Sequence, residues 1–525
     1  MSSPWVLSSL AALTFGSLGC NVIFGIEPGT LGEGASGPSG GSGAGSQGGD
    51  PSAGGAGGGV GGGEIGGGGD GGAGGSPPAQ ECDPTLLEPG ETIGANCGLF
   101  VDGSTTRGSG TQASPFNHAQ AAFTANLPGN IYICGATTFV GHFVLNGGGR
   151  VYGGLTCDWQ ADGELVPELR GDGTVEEAVF ISGAIGDDAL LDHLFIRGAN
   201  AAPGGSSFGL KIDRVSTVLR DVSILAGDAG AAVTQAPGSL GSGGVAGTAA
   251  ASTCTVVGGA GGSKTCGGTN VSGGNGAACT FGVGNSGFAG MGPGAGDGGA
   301  ASGTFSCGAG FQGAAGGNGG VGAPSPPVGF LDSGSYVSAG APDAPSGSPG
   351  GGGGGGGSRP NSNGGGGGSG GCGGDGGRGG QNGGASFALV VISAQVELFD
   401  VGMSPGRGGD GSDGTAGLAG GFGGAGSAGN ANGCAGASGG VGGRGGPGGA
   451  GSGGPSAAVA VFDAMVLVGD TTLLSSAGGD AGMPGMNMSS SGAPIPGPAG
   501  SAGLVCAALV FDSGGSDPVC QPTLL

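Results

Sequence analysis

Basic residues are scarce in this chain. Twelve Lys and Arg stand against 36 Asp and Glu among 525 residues, a net charge of -24, and Lys211 and Lys264 are the only lysines. Binding to phosphate backbones or anionic lipid needs clustered cations, so nucleic acid and anionic membrane surfaces are poor partners, and no nucleic acid is expected. Aromatic residues make up 5% and charged residues 9%. The three histidines, His118, His142 and His193, form no Ser-His-Asp or Cys-His arrangement that spacing supports. No two cysteines have CxxC spacing, which argues against a zinc or redox site, so no metal or other cofactor is expected. Proline, at 30 residues, is too sparse for collagen.

What is abundant is glycine: 150 residues, so the ordered part must be smaller than the length suggests. Trp5 to Gly19 is a short apolar run ending in small residues, the pattern of an export signal rather than a membrane span. Ser17-Leu18-Gly19-Cys20 resembles a bacterial lipobox, which implies acylation of Cys20 and attachment to a membrane through lipid; an ordinary cleaved signal, or a start placed elsewhere, is the alternative. The organisation expected is a lipoprotein signal at 1–20, a Gly/Ser-rich disordered tether at 21–80 and a folded domain at 81–525. Thirteen cysteines less Cys20 leave twelve, enough for six disulfides in an oxidising compartment. Order along the chain suggests Cys82 with Cys97, Cys134 with Cys157, and Cys506 with Cys520, while connectivity stays open.

The stretch Val101 to Leu155 organises the rest. It predicts a helix over Pro115 to Asn126, capped by Ser114 and with Phe116, Ala119 and Phe123 on one face. Ile131-Tyr132-Ile133, Phe143-Val144-Leu145 and Val151-Tyr152 then read as short strands between Gly-rich turns. A Pro-Phe start, an Ala-rich helix with Gln120, Pro-Gly, Ile-Tyr-Ile, then Gly and Phe139 resemble the N-terminal cap and first coil of pectate-lyase-like proteins over about fifty residues. The resemblance implies an all-β fold, a right-handed parallel β-helix plugged by a helix, and leaves activity open, since such folds carry enzymes, adhesins and inert stalks. With its Gly-rich inserts and Cys157-Asp158-Trp159, the chain is also similar to secreted glycine-rich lipoproteins of myxobacterial type.

Downstream, a repeat emerges when three openings are aligned: Ser207, Ser386 and Ser456. Fourteen residues after each comes Asp221, Asp400 or Asp470. Offsets 3, 5, 12, 15 and 17 carry Leu210, Ile212, Leu219, Val222 and Ile224, then Leu389, Val391, Leu398, Val401 and Met403, then Val459, Val461, Val468, Thr471 and Leu473. Spacing by two puts these side chains on one strand face, and stacking the units would line a continuous core. The recurring Asp reads as a turn residue. Ala178 to Ile196, with Asp192 at offset 14, fits as an earlier unit, and Ser501 to Asp512 as a truncated last one. Between units lie insertions at 227–384, 402–455 and 475–498. Gly408 to Gly429 and Gly433 to Gly454 place glycine at every third residue, the period of an extended helix that neighbours can approach closely. Antiparallel bundles of polyglycine-II-like helices tied by Cys372 and Cys434 are expected, with disordered linker as the alternative.

Few residues suggest chemistry. Gly408 to Asp413 matches the start of a calcium-binding nonapeptide but stands alone. Asp187, Asp188, Asp192, His193 and Arg197 form the nearest polysaccharide-cleaving constellation, with Asp192 and His193 equally explained by the repeat. The expected function is a non-enzymatic, lipid-anchored protein of the outer membrane or cell surface, structural or adhesive, touching extracellular polysaccharide or surface proteins. A carbohydrate-active lyase or glycosidase, and a glycan- or ice-binding polyglycine module, are the alternatives.

Overall fold

The computed structural model describes residues 82–521 except 126–128, 255, 302–305, 333–334, 490 and 513–516; the signal, Cys20 and the tether lie outside the described residues. Among the described residues the fold is all-β with one short α-helix, and its two main sheets are parallel apart from the final strand Val519–Gln521. One sheet has seven strands and the other eleven, and successive repeats contribute to both.

The repeat alignment is the register of these sheets. Ser207, Ser386, Ser456 and Val505 stand side by side, as do Leu210, Leu389, Val459 and Ala508. In the other sheet Leu219 pairs with Leu398 and Leu398 with Val468, while Ile224, Met403 and Leu473 align further on. Side chains at the aligned offsets meet in one core: Leu210, Ile212, Leu219, Val222 and Ile224 are buried, and their counterparts Leu389, Val391, Leu398, Val401 and Met403 lie against them. Each such side chain contributes about 1.5–3 kcal/mol on burial, gained only because the next unit covers it.

Left-handed corners bend the units, one at offset 7 in all three and a second at offset 14 in the first two. Arg214, Ser393 and Asp463, all at offset 7, have φ of 59°, 47° and 45°. At offset 14, Asp221 and Asp400 have φ of 49° and 53°, which a short polar side chain tolerates better than most. The offset-7 corner escaped the sequence because three different residue types occupy it; the Arg214 and Ser393 amides donate to Ile392 O and Phe462 O of the next unit, so backbone bonding holds the corner there.

The opening Ser is a stitch between strand and insertion. Ser207 Oγ donates to Ala199 O and accepts from Gly227 N; Ser386 Oγ donates to Gly227 O and accepts from Gly406 N; Ser456 Oγ donates to Gly406 O. At Ser207 and Ser386 the hydroxyl both donates and accepts, which a hydroxyl can do and an apolar side chain cannot.

Four expectations need correction. The helix is Ala119–Thr124, capped by His118 and not Ser114, because Phe116 is drawn into an extended ladder: its N–H donates to Phe100 O and its carbonyl accepts from Asp102 N–H. The earlier unit is out of register as read: Val179 aligns with Leu210 and Leu191 with Leu219, so extra residues in the Gly183–Asp187 turn shift the count, and His193, not Asp192, stands at the left-handed corner with φ 50°. The last unit opens at Val505, since Val505 and not Ser501 pairs with Ser456. The second insertion also leaves later than 402, because Val401–Ser404 is still a strand.

The insertions form a hydrogen-bonded lattice. In the run 364–383, the N–H groups of Gly365, Gly366 and Gly367 donate to Cys434, Thr248 and Gly274, on three different segments. Three residues later, Gly368, Ser369 and Gly370 donate to Ala437, Val245 and Val271 on the same three segments. The carbonyls of Gly365, Gly366 and Gly367 accept from Gly356, Ser427 and Gly262, on three further segments. Bonding that repeats every three residues to surrounding strands leaves the glycine positions no space for a side chain, a Cβ on Gly368 lying 1.9 Å from Gly424 O, while small polar side chains such as Ser369 are taken into the bonding.

Neighbours run both ways, not only antiparallel. Gly365 to Gly368 advance with Cys434 to Ala437, because both segments are returning to the opening of a unit, whereas Gly366 to Ser369 advance against Thr248 to Val245. Cys372 and Cys434 do tie the lattice: Cys266–Cys372 staples the first insertion to itself, Cys307–Cys434 joins the second insertion to the first, and Cys254–Cys279 adds a third staple. Part of the first insertion, the hairpin Phe330–Asp332 with Ser335–Val337, covers the outer face of the seven-stranded sheet. There Phe208 and Phe387 stack at 5.6 Å with Tyr336 edge-on to Phe387. That is why Ser386–Ile392 is buried along its whole length and reads as an unbroken apolar run.

Candidate functional site

The outer face of the eleven-stranded sheet carries the densest polar chemistry. Phe100, Tyr132, Tyr152, Asp192, Arg220 and Phe399 occupy one column, each in register with the next. At its first end the rings stack, Phe100 to Tyr132 at 5.2 Å and Tyr132 to Tyr152 at 5.6 Å, with Trp159 edge-on to Phe100 at 4.7 Å. The disulfides Cys82–Cys97 and Cys134–Cys157 hold the covering loops. Tyr132 Oη donates to Cys82 O, and burial pushes its phenol far above the usual range.

Beyond the aromatics lies an ion cluster. Asp192 is fully buried, and one of its oxygens takes Arg220 through Nε at 2.9 Å and through Nη2. Its other oxygen lies 2.6 Å from His193 Nδ1, and His193 Nε2 lies 2.9 Å from Asp221 Oδ2. Arg220 also faces Asp83 at 3.9 Å. The hydrogen bond with Asp192 raises the His193 pKa, against the opposing effect of burial. Two carboxylates flanking the imidazole favour its cationic form, in which both nitrogens are engaged. It cannot accept a proton from a substrate while these bonds stand.

Of the constellation expected from sequence, Asp192 and His193 are brought together and the rest are not. Asp187 accepts from its own turn at Ala184 N, Asp188 pairs at the start of its strand with Ser216, and Arg197 lies at the far end in register with Arg170 and Leu225. Arg220, Asp221 and Asp83 complete the cluster instead. Their signal was the register: Asp192 aligns with Arg220, and a shifted count hid it. His118 caps the helix through Nδ1 and faces Val140 O at 3.3 Å through Nε2, and His142 lies 3.5 Å from Glu177.

The calcium-like motif is spent on the lattice. Asp410 pairs with Arg407 at 2.6 Å and accepts from Asp480 N, while Asp413 accepts from Met483 N. Asp102, Cys134 and Cys157 lie together, but the two sulfurs are bonded to each other and offer no thiolate. A cleft of about 260 Å³ opens between Leu331, Phe462, Phe511 and Pro518, lined mainly by apolar side chains and away from the ion cluster. Among the described residues no helix is long and apolar enough to cross a membrane.

No protein-family model, curated protein or solved structure matches the chain.

Proposed function

We propose that the chain is a right-handed parallel β-helix bearing polyglycine-II insertions, and that it serves as a non-enzymatic structural or adhesive element outside the cell, held at the outer membrane by an acylated Cys20. The observation that carries this reading is the lattice: long glycine-rich insertions bonded to one another every three residues and stapled by disulfides, so that bulkier side chains are carried outward. Exposed Phe281, Phe288, Phe311 and Phe422 are such side chains, available to extracellular polysaccharide or surface proteins. Six disulfides fit an oxidising compartment, and the strong negative charge disfavours nucleic acid. Metabolic labelling with a palmitate analogue, combined with protease shaving of intact cells, tests it. Label lost in Cys20→Ser and a shaved domain support the reading; an unlabelled, protected chain with free thiols rejects it.

A second reading, a carbohydrate-active enzyme, is favoured by the Asp192, His193, Asp221 and Arg220 cluster. It requires release of reducing ends or unsaturated products from polysaccharide, lost in Asp221→Asn. Its weakness is that every group in the cluster is already paired.

A further inference from the structure

The two sheets end differently. In the seven-stranded sheet the last parallel strand, Val505–Phe511, is covered by the antiparallel strand Val519–Gln521, locked by Cys506–Cys520. In the eleven-stranded sheet the last rung is Met465–Val468 and Thr471–Leu473, paired on one side only, with Gln395–Phe399 and Val401–Ser404. Among the described residues nothing pairs with its other side.

This rung has the properties of a template. Met465 N and Gly469 N donate inward to Ala394 O and Leu398 O, so alternation along the strand points the amides of Val466 and Val468 at the open edge. Val466, Val468 and Leu473 pack on the core yet are only partly buried, where their counterparts Val396, Leu398 and Met403 are at 0–1% exposure. Met465 and Leu474 are 40% and 55% exposed. No Pro and no Lys or Arg interrupts 465–474, the devices that usually blunt an edge.

We infer that this open rung binds a partner protein by strand addition, taking an extended, alternately apolar segment flanked by Lys or Arg. The charge decides the occupant: exposed Asp463 and Asp470 bracket the rung's first strand, and no Lys or Arg follows Arg444 in the chain. A second copy fits poorly. Two such edges meeting about a twofold axis, with Val466 opposite Val468, would bring two copies of Asp463 and two of Asp470 to one seam with no cation between them. Nor is head-to-tail stacking open, because the strand Gly98–Val101 at the other end is covered by 108–116, with Phe100 N donating to Gly110 O and Phe116 N to Phe100 O. The inference is independent of how the protein is anchored.

The test uses the full oxidised chain and fluorescent peptides alternating Val and Thr between Lys pairs, or between Glu pairs. The basic peptide should bind about tenfold tighter than the acidic one and slow hydrogen exchange at Val466 and Val468. Val468→Pro should abolish binding. Asp470→Lys combined with Asp463→Asn leaves the edge intact and should erase the preference for the basic peptide. Equal binding of both peptides, absence of protection at those amides, or a concentration-dependent dimer that buries the rung would each overturn the inference.

Discussion

Substituting Gly368 by Ala separates a packed lattice from a loose glycine linker. The new Cβ would lie 1.9 Å from Gly424 O and 2.4 Å from its carbonyl carbon, where contacts under 3.0 Å essentially never occur. The neighbour must therefore retreat by about 1 Å or more, a shift that overpacking data put at about 1–3 kcal/mol. That retreat also stretches the bonds from Gly424 N to Ser369 O at 2.8 Å and from Gly439 N to Gly424 O at 2.9 Å, each worth about 1 kcal/mol. The sum is about 3 kcal/mol, or roughly a hundredfold increase in local opening. Gly320 supplies the control: an added Cβ there meets nothing within 4 Å, so Ala should be neutral or stabilise by about 0.4–1 kcal/mol through the unfolded chain. Hydrogen exchange of the amides between 364 and 383, read in both variants under oxidising conditions, decides. Equal protection in Gly368→Ala and Gly320→Ala would refute the lattice, because in a linker both methyl groups would find open space.

Other consequences are quicker to state. Ser386→Ala strands Gly227 O and Gly406 N without their shared partner and should cost about 1–3 kcal/mol in denaturant unfolding, whereas Ser386→Thr should retain part of the bonding. Replacing Cys266 and Cys372 by Ser opens a 106-residue loop and should destabilise by about 1–2 kcal/mol more than replacing Cys506 and Cys520, whose separation is 14. His193 has a folded pKa raised above its unfolded value of about 6.5, so its stabilisation is complete below that pH and is lost as pH rises through the folded pKa. The stability gap between wild type and His193→Asn, about 1 kcal/mol for a cluster open to solvent at Arg220 and Asp221, should close as pH rises from about 6.5 through the folded pKa; a gap that persists would show the His193 contacts to be independent of its charge.

The register of the stack was legible because burial demands like above like: Leu210, Leu389 and Val459 keep one offset from a Ser that bonds two ways. Register failed where a turn changed length, since Val179 and Leu191 are twelve positions apart where Leu210 and Leu219 are nine. The ion cluster was half legible for the same reason. Asp192 and His193 are adjacent in sequence, while Arg220 and Asp83 reach Asp192 and its neighbourhood only through stacking and the folding back of the Cys82 loop. The helix start was misjudged because Pro115-Phe116 suits a helical first turn locally but is worth more as a pairing partner of Phe100 and Val101. In the lattice, glycine every third residue announced the period. It could not announce which segments lie side by side, since glycine against glycine carries no pattern to match.

Insertions of very different length leave from one place because closing a longer loop costs little. By loop-closure entropy, threefold more residues add only about 1 kcal/mol, provided the ends are pinned side by side, as Ser207, Ser386 and Ser456 pin them. The lattice then makes the insertions unequal in importance. The run 364–383 is bonded on all sides, so excising 227–384 would remove the partners of Gly409, Ser412, Thr415 and Gly421, whose amides donate to Gly384, Gln381, Arg378 and Cys372. Excising 475–498 would free the amides of Gly408, Gly411, Gly414, Ala450 and Gly503, which line the face that the excision opens and which water can then satisfy. The shorter deletion should therefore yield soluble, disulfide-bonded protein and the longer one should not. Comparable yields from both would mean that the coils fold without the lattice, and that the glycine-rich half rests on the β-sheets without supporting them.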